Sequence, residues 1–107
     1  MKKYMQAFVI YALLSAPVYA GDSTIIIKDH AFTPATLTVS AGTKVTWTNR
    51  DQDPHTVAES AAQKHFHSGA LDTSDSYSYT FTTSGTYSYF CTMHPTMTGK
   101  FIVTAEK

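Results

Sequence analysis

The chain has 107 residues, 43% of them apolar, with eight basic and eight acidic side chains and a formal net charge of zero. That length supports one globular domain and not two. No basic cluster marks a nucleic-acid surface, and a single cysteine, Cys91, excludes an internal disulfide.

The N-terminus reads as a targeting segment. Lys2 and Lys3 precede a short apolar run over residues 7–16, Pro17 breaks it, and Val18-Tyr19-Ala20 resembles a small-residue cleavage site. The run falls short of the ~20 apolar residues that a spanning helix needs. The expectation is a signal peptide over 1–20 and a single domain over 21–107. That domain carries net charge −2 from six basic and eight acidic residues. It would be periplasmic or otherwise secreted, monomeric, and without a membrane span after cleavage. A lone thiol in an oxidising compartment is a liability unless something, such as a metal, occupies it.

Beyond residue 21 the sequence alternates with period two, the signature of half-buried strands. Strands are expected over 24–28 and 35–39. Over 43–49, Val45 and Trp47 alternate with Lys44, Thr46 and Thr48. A further strand is expected over 56–59. Tyr77, Tyr79 and Phe81 share one face of 76–82, and a second alternating run follows over 86–91. The Gly-containing three-residue loop between those runs predicts a β-hairpin. A last strand is expected over 100–105. Turn signals stand at Phe32-Thr33-Pro34, Ser40-Ala41-Gly42, residues 49–54 and residues 71–74. Residues 60–64 fit a helical turn or an irregular loop. Short strands with this punctuation predict an all-β sandwich.

The chemistry concentrates near the C-terminus, in Cys91-Thr92-Met93-His94-Pro95-Thr96-Met97. The spacing C-x-x-H-x-x-M offers a thiolate, an imidazole and a thioether, and His55 can add a second imidazole. Two His nitrogens and one Cys sulfur in a plane, with a weak axial Met, are the ligand set of a blue-copper electron-transfer site. A buried structural cysteine would leave His94 and Met97 unexplained. Structural zinc takes four Cys or His ligands and not Met. Haem attachment requires C-x-x-C-H, and a thioredoxin-like site requires C-x-x-C. Cys91 ends a strand, His94 and Met97 lie in the following loop, and His55 begins another strand, so a rigid sandwich can hold all four.

The chain resembles the plastocyanin/azurin family, the cupredoxins. The resemblance runs through Phe32-Thr33-Pro34, then Val39 to Asn49 as V-x-x-G-x-x-V-x-W-x-N, His55-Thr56-Val57, and Phe66-His67-Ser68-Gly69. The loop from Cys91 to Lys100 is similar to the amicyanin branch, which has two residues on each side of the loop histidine. The resemblance implies a Greek-key sandwich of about eight strands. It also implies one type 1 copper, cycling between Cu(I) and Cu(II), with His55, Cys91 and His94 equatorial and Met97 axial. Two positions depart from the family: Thr56 stands where Asn is common, and Met93 where Pro is common. Both would tune the potential without abolishing the metal.

The function implied is a one-electron shuttle between redox proteins, which would dock near His94, Pro95 and Thr96. The alternative is a non-catalytic copper carrier or buffer. An enzyme is not expected: Phe90-Cys91-Thr92 lacks the flanking histidines of a trinuclear copper centre, and nothing orients Cys91 as a hydrolytic nucleophile. His65 and His67 form an H-x-H pair that could suggest a second metal but reads as loop histidines beside Phe66. His30, Asp51 and Asp53 read as turn residues, and Trp47, Tyr77, Tyr79, Tyr87 and Tyr89 as core packing.

Overall fold

The computed structural model describes residues 22–61 and 65–105. The expected signal segment lies outside the described residues. Eight strands follow in chain order: β1 (Asp22–Lys28), β2 (Ala31–Thr33), β3 (Thr36–Ser40), β4 (Thr43–Asn49), β5 (Ala58–Glu59), β6 (Ser76–Phe81), β7 (Gly85–Phe90) and β8 (Thr98–Thr104). They form two four-stranded sheets, ordered β2-β1-β4-β6 and β3-β8-β7-β5. Two contacts are parallel, β1 with β4 and β3 with β8; the other ladders are antiparallel. The all-β, eight-strand expectation holds.

The inward residues of each sheet meet in one aromatic core. Ile25, Ile27, Val45, Trp47 and Phe81 come from one sheet; Val39, Tyr89, Phe101 and Val103 come from the other. Trp47 is fully buried and packs edge-on to Tyr89 and Phe101, with ring centroids 5.5 and 5.4 Å away. Such edge-to-face pairs add to the area term that drives the sheets together. The aromatic residues read as core do pack there, with Tyr77, Tyr79 and Tyr87 at its margin.

The expected hairpin does not form. β6 pairs with β4 and β7 pairs with β8, so residues 82–84 carry the chain from one sheet to the other. Alternation fixes which face of a run turns inward but not which strand lies beside it. Here the two inward faces meet across the core, where Phe81 contacts both Tyr87 and Phe101. β2 lies where the sequence predicts a turn at Phe32-Thr33-Pro34, since Pro34 directly follows its three residues. β5 is shorter than expected because its first two residues bond elsewhere: the Thr56 N–H points at Cys91 Sγ, and the Val57 N–H donates to Ser68 Oγ.

One close approach ties the fold to the loop that carries Met97. Gly99 lies opposite Tyr89 in the β7–β8 ladder, and a Cβ at Gly99 would overlap the Tyr89 ring. Only glycine leaves room for the ring against the backbone near the start of β8.

Candidate metal centre

Three segments converge at one end of the sandwich. β4 ends at Asn49, whose fully buried side chain organises the next loop. Asn49 Nδ2 donates to the carbonyls of Asp53 and Leu71, at 2.9 and 2.8 Å, and Asn49 Oδ1 accepts from the Asp51 N–H. His55 then exchanges two backbone hydrogen bonds with Leu71. These bonds fix where the His55 ring enters the interior, and that ring is 0% exposed. The strand expected to begin at His55 starts here only as this isolated bridge, and its ladder with β7 is confined to β5.

Cys91 follows the last residue of β7 and is also fully buried. The loop after it closes on itself. The His94 N–H donates to the Cys91 carbonyl, the Met97 N–H to the His94 carbonyl, and the Cys91 N–H to the Met97 carbonyl, at 3.2, 2.8 and 3.1 Å. Two residues on each side of His94 are just enough for this ring of bonds. Met97 is buried against the core and His94 is half-buried.

The four sequence-predicted residues therefore come together. His55 Nδ1 lies 3.7 Å from Cys91 Sγ, and His94 Nδ1 lies 3.8 Å from the same sulfur. A first-row ion bound at about 2.0 Å to imidazole and about 2.3 Å to thiolate, with about 120° between them, needs a nitrogen–sulfur separation of about 3.7 Å. Both pairs are spaced to share one ion with the sulfur. One thiolate, two imidazoles and a thioether suit copper in both oxidation states.

Thr56 performs the bracing that an Asn commonly supplies in the family. Its Oγ1 accepts the Thr92 N–H at 2.7 Å and lies 2.8 Å from Thr92 Oγ1, while its N–H approaches Cys91 Sγ at 3.3 Å. The loops bearing His55 and Cys91 are thus latched together. Hydrogen bonding at the cysteine sulfur is one of the levers that set the potential of such a site.

Two residues in contact with the ligand set were read from the sequence only as turn residues. Asp51 Oδ2 lies 2.9 Å from His55 Nε2, and the Asp51 carboxylate also accepts the N–H groups of Asp29 and His30, at 2.7 and 2.9 Å. Burial pushes the Asp51 carboxyl up, but the His30 and Asp29 N–H groups and the His55 ring outweigh it and hold the pKa at about 2. Asp51 is therefore an anion at neutral pH. It receives the proton on His55 Nε2, which leaves the Nδ1 lone pair facing Cys91. His30 stands in the β1–β2 turn, as expected of a turn residue, yet its ring packs edge-on against both His94 and His55, at centroid separations of 4.7 and 5.1 Å. The one available signal for Asp51 was its position four residues before His55. His30 carried none. His65 is directed elsewhere, its Nδ1 2.8 Å from the buried Glu59 carboxylate.

Sandwich and site together define a cupredoxin: residues 5–103 match the cupredoxin-like domain, and the chain belongs to that family. Within it, the chain is similar to amicyanin-alpha of Methylorubrum extorquens, with 34% identity covering 92% of this chain and 84% of that one. Amicyanin of Paracoccus denitrificans is 36% identical, over 83% of this chain and 70% of its own. Among solved structures, a purple cupredoxin from Nitrosopumilus maritimus superposes with a TM-score of 0.72 at 32% identity, covering 78% of this chain and all of that one. The chain is a blue copper electron carrier, and copper is its cofactor. A copper nitrite reductase from Thermus scotoductus matches over only 24% of its own length.

Proposed function

We propose that His55, Cys91, His94 and Met97 would together hold the copper, the thiolate and imidazoles as its main donors and the thioether as a weaker one, and that this site passes single electrons between redox proteins. The observation that carries the assignment is the pair of Nδ1–Sγ separations, 3.7 and 3.8 Å, around a fully buried cysteine. Copper bound there supplies a one-electron couple. The residues supply rigidity: the Thr56–Thr92 latch, the closed loop around His94 and the Asp51–His55 bond each resist rearrangement between oxidation states. A site that does not move has a small barrier to electron transfer. That favours a shuttle over a copper carrier or buffer, which must open to release its cargo.

The chain acts without catalysing a reaction of its own, and it works on the far side of a membrane, in the periplasm or an equivalent space. The support is the signal-like segment over residues 1–20 and the lone thiol. Partners dock over His94, Pro95 and Thr96, and the protein acts as a monomer. His94 is half-buried and flanked in sequence by exposed, uncharged residues, with Met93 46% exposed. A small uncharged contact can lose its water cheaply and separate quickly, as redox encounters require. Among the described residues no helix is long and apolar enough to cross a membrane.

Adding Cu(II) to the purified apo-protein tests the assignment. An intense visible thiolate-to-copper band should appear, be absent in Cys91→Ser, and give a reversible one-electron wave in voltammetry. A band that survives Cys91→Ser removes Cys91 from the site, and irreversible voltammetry favours the carrier. Thr96→Asp tests the docking face: it should slow electron exchange with the native partners while the band stays intact.

A further inference from the structure

His30 lies outside the ligand set, yet it is built like a ligand. One ring nitrogen from each of His30, His55 and His94 falls within 4.8 Å of the others. His30 Nε2 lies 3.1 Å from Asp53 Oδ2, as His55 Nε2 lies 2.9 Å from Asp51 Oδ2. A carboxylate on Nε2 holds the proton there and leaves Nδ1 with a free lone pair, the arrangement by which proteins prepare a histidine for a metal.

The backbone is also set up at this point. Asp29 and His30 have φ of 55° and 56°, in the left-handed region that non-glycine residues seldom adopt. The Asp51 carboxylate holds both residues there by accepting their N–H groups. Two such residues in succession persist only where surrounding bonds over-determine them. Their consequence is that the His30 ring lies edge-on across His94 and His55. The three imidazoles form a gradient from solvent inward: the His30 side chain is 49% exposed, His94 is half-buried and His55 is 0% exposed.

Distance decides what His30 can do. Two imidazole nitrogens on one ion, each at about 2.0 Å, cannot be more than about 4 Å apart. The three nitrogens lie within 4.8 Å of one another, a bound wider than that limit, so the cluster is open enough to leave His30 outside the resting site. Of the three rings, His30 has the most exposed side chain, at 49%, and it is the one that solvent reaches first. Resting on the ligand assignment above, we propose that His30 is an outer capture ligand that takes a hydrated copper ion from solution and passes it to His94 and the buried site. In the transfer the ion exchanges water for imidazole Nδ1 atoms, and the Cys91 thiol releases its proton to solvent as the thiolate binds. No electron moves.

The test is stopped-flow loading of apo-protein with Cu(II), read by growth of the thiolate-to-copper band, together with removal of bound copper by a chelator. His30→Asn is the informative variant, because Asn tolerates the left-handed backbone and lacks the imidazole. A step on the pathway speeds both directions equally. Loading and removal should therefore slow together by about tenfold in His30→Asn, with the dissociation constant and reduction potential unchanged. Asp53→Asn, which keeps the ring but loses the carboxylate that orients it, should slow both by about threefold. Unchanged rates in His30→Asn overturn the proposal. So does slower loading with weaker equilibrium binding, which would make His30 a support of the resting site. A wild-type protein that never develops the band defeats the ligand assignment instead, and the capture role falls with it.

Discussion

Replacing Asp51 with Asn removes one negative charge from the far side of His55 and preserves the side chain's shape. Asp51 Oδ2 lies 2.9 Å from His55 Nε2. Adding one imidazole ring and one metal–nitrogen bond of about 2.0 Å puts the carboxylate roughly 7 Å from an ion on Nδ1. Oxidation adds one unit of positive charge to the ion. At an effective dielectric of about 20, a full negative charge at that range favours the oxidised state by about 2 kcal/mol. At about 59 mV per tenfold change in a one-electron equilibrium, this corresponds to roughly 100 mV. The Asp29 and His30 N–H groups already neutralise part of the charge. Asp51→Asn should therefore raise the potential by about 50–100 mV. The assay is voltammetry of the copper-loaded variant at neutral pH, where Asp51 is ionised. One amide oxygen cannot serve three N–H donors, so the apo-protein should also lose about 1.5–3 kcal/mol of stability. An unchanged or lowered potential in a correctly folded, blue variant would refute the argument, because the charge would then not be felt at the metal.

Three further outcomes are expected. Met97→Leu should retain copper and raise the potential, since the lost thioether stabilised Cu(II) more than Cu(I); loss of copper would mean that Met97 anchors the ion. Thr56→Val removes the acceptor of the Thr92 N–H at nearly constant volume and should cost about 1–3 kcal/mol in thermal unfolding while leaving a blue protein. Burial pushes the Glu59 carboxyl up, but the N–H of His65, the His65 ring and the Phe66 N–H outweigh it and hold the pKa below the ordinary 4.5. The unfolded chain therefore binds that proton more readily, so the stabilisation is complete above pH 4.5 and is lost as pH falls through the lower folded value. Glu59→Gln should thus be less stable than wild type at neutral pH, with the gap closing on acidification; a gap independent of pH would show that the charge contributes nothing.

The parts of this molecule that were legible in its sequence are those fixed by local chemistry. β4 was predicted over 43–49 to the residue, because Val45 and Trp47 alternate with polar neighbours between two clear turns. The loop from Cys91 to Met97 was legible as a donor cluster because its thiol, imidazole and thioether lie within seven residues of one another, and His55 because it follows an Asp-Pro turn. Pairing was not legible: the runs that became β6 and β7 were adjacent in sequence and correctly patterned, yet each found its partner in a different sheet. The roles of Asp51 and His30 were hidden for the same reason. The bonds that define Asp51 come from Asp29 and His30, some twenty residues upstream, and exist only because β1 lies beside β4. Thr56, a departure from the family pattern, turned out to brace the cysteine loop through a hydroxyl instead of an amide.

Asp51 joins two properties that would otherwise be independent. Its carboxylate faces the buried His55, the proposed ligand, and, through two N–H groups, holds the turn that presents His30 at the surface. The first contact acts on equilibrium, through the charge felt by the ion. The second acts on rate, through the position of an imidazole that the loaded site does not use. The two are therefore separable in one set of variants. His30→Asn should change loading kinetics without moving the potential, whereas Asp51→Asn should move both, since it removes the charge and releases the turn together. If Asp51→Asn shifted the potential but loaded copper at the wild-type rate, the turn would hold its shape without the carboxylate. The left-handed pair at Asp29 and His30 would then have to be maintained by the β1–β2 ladder alone.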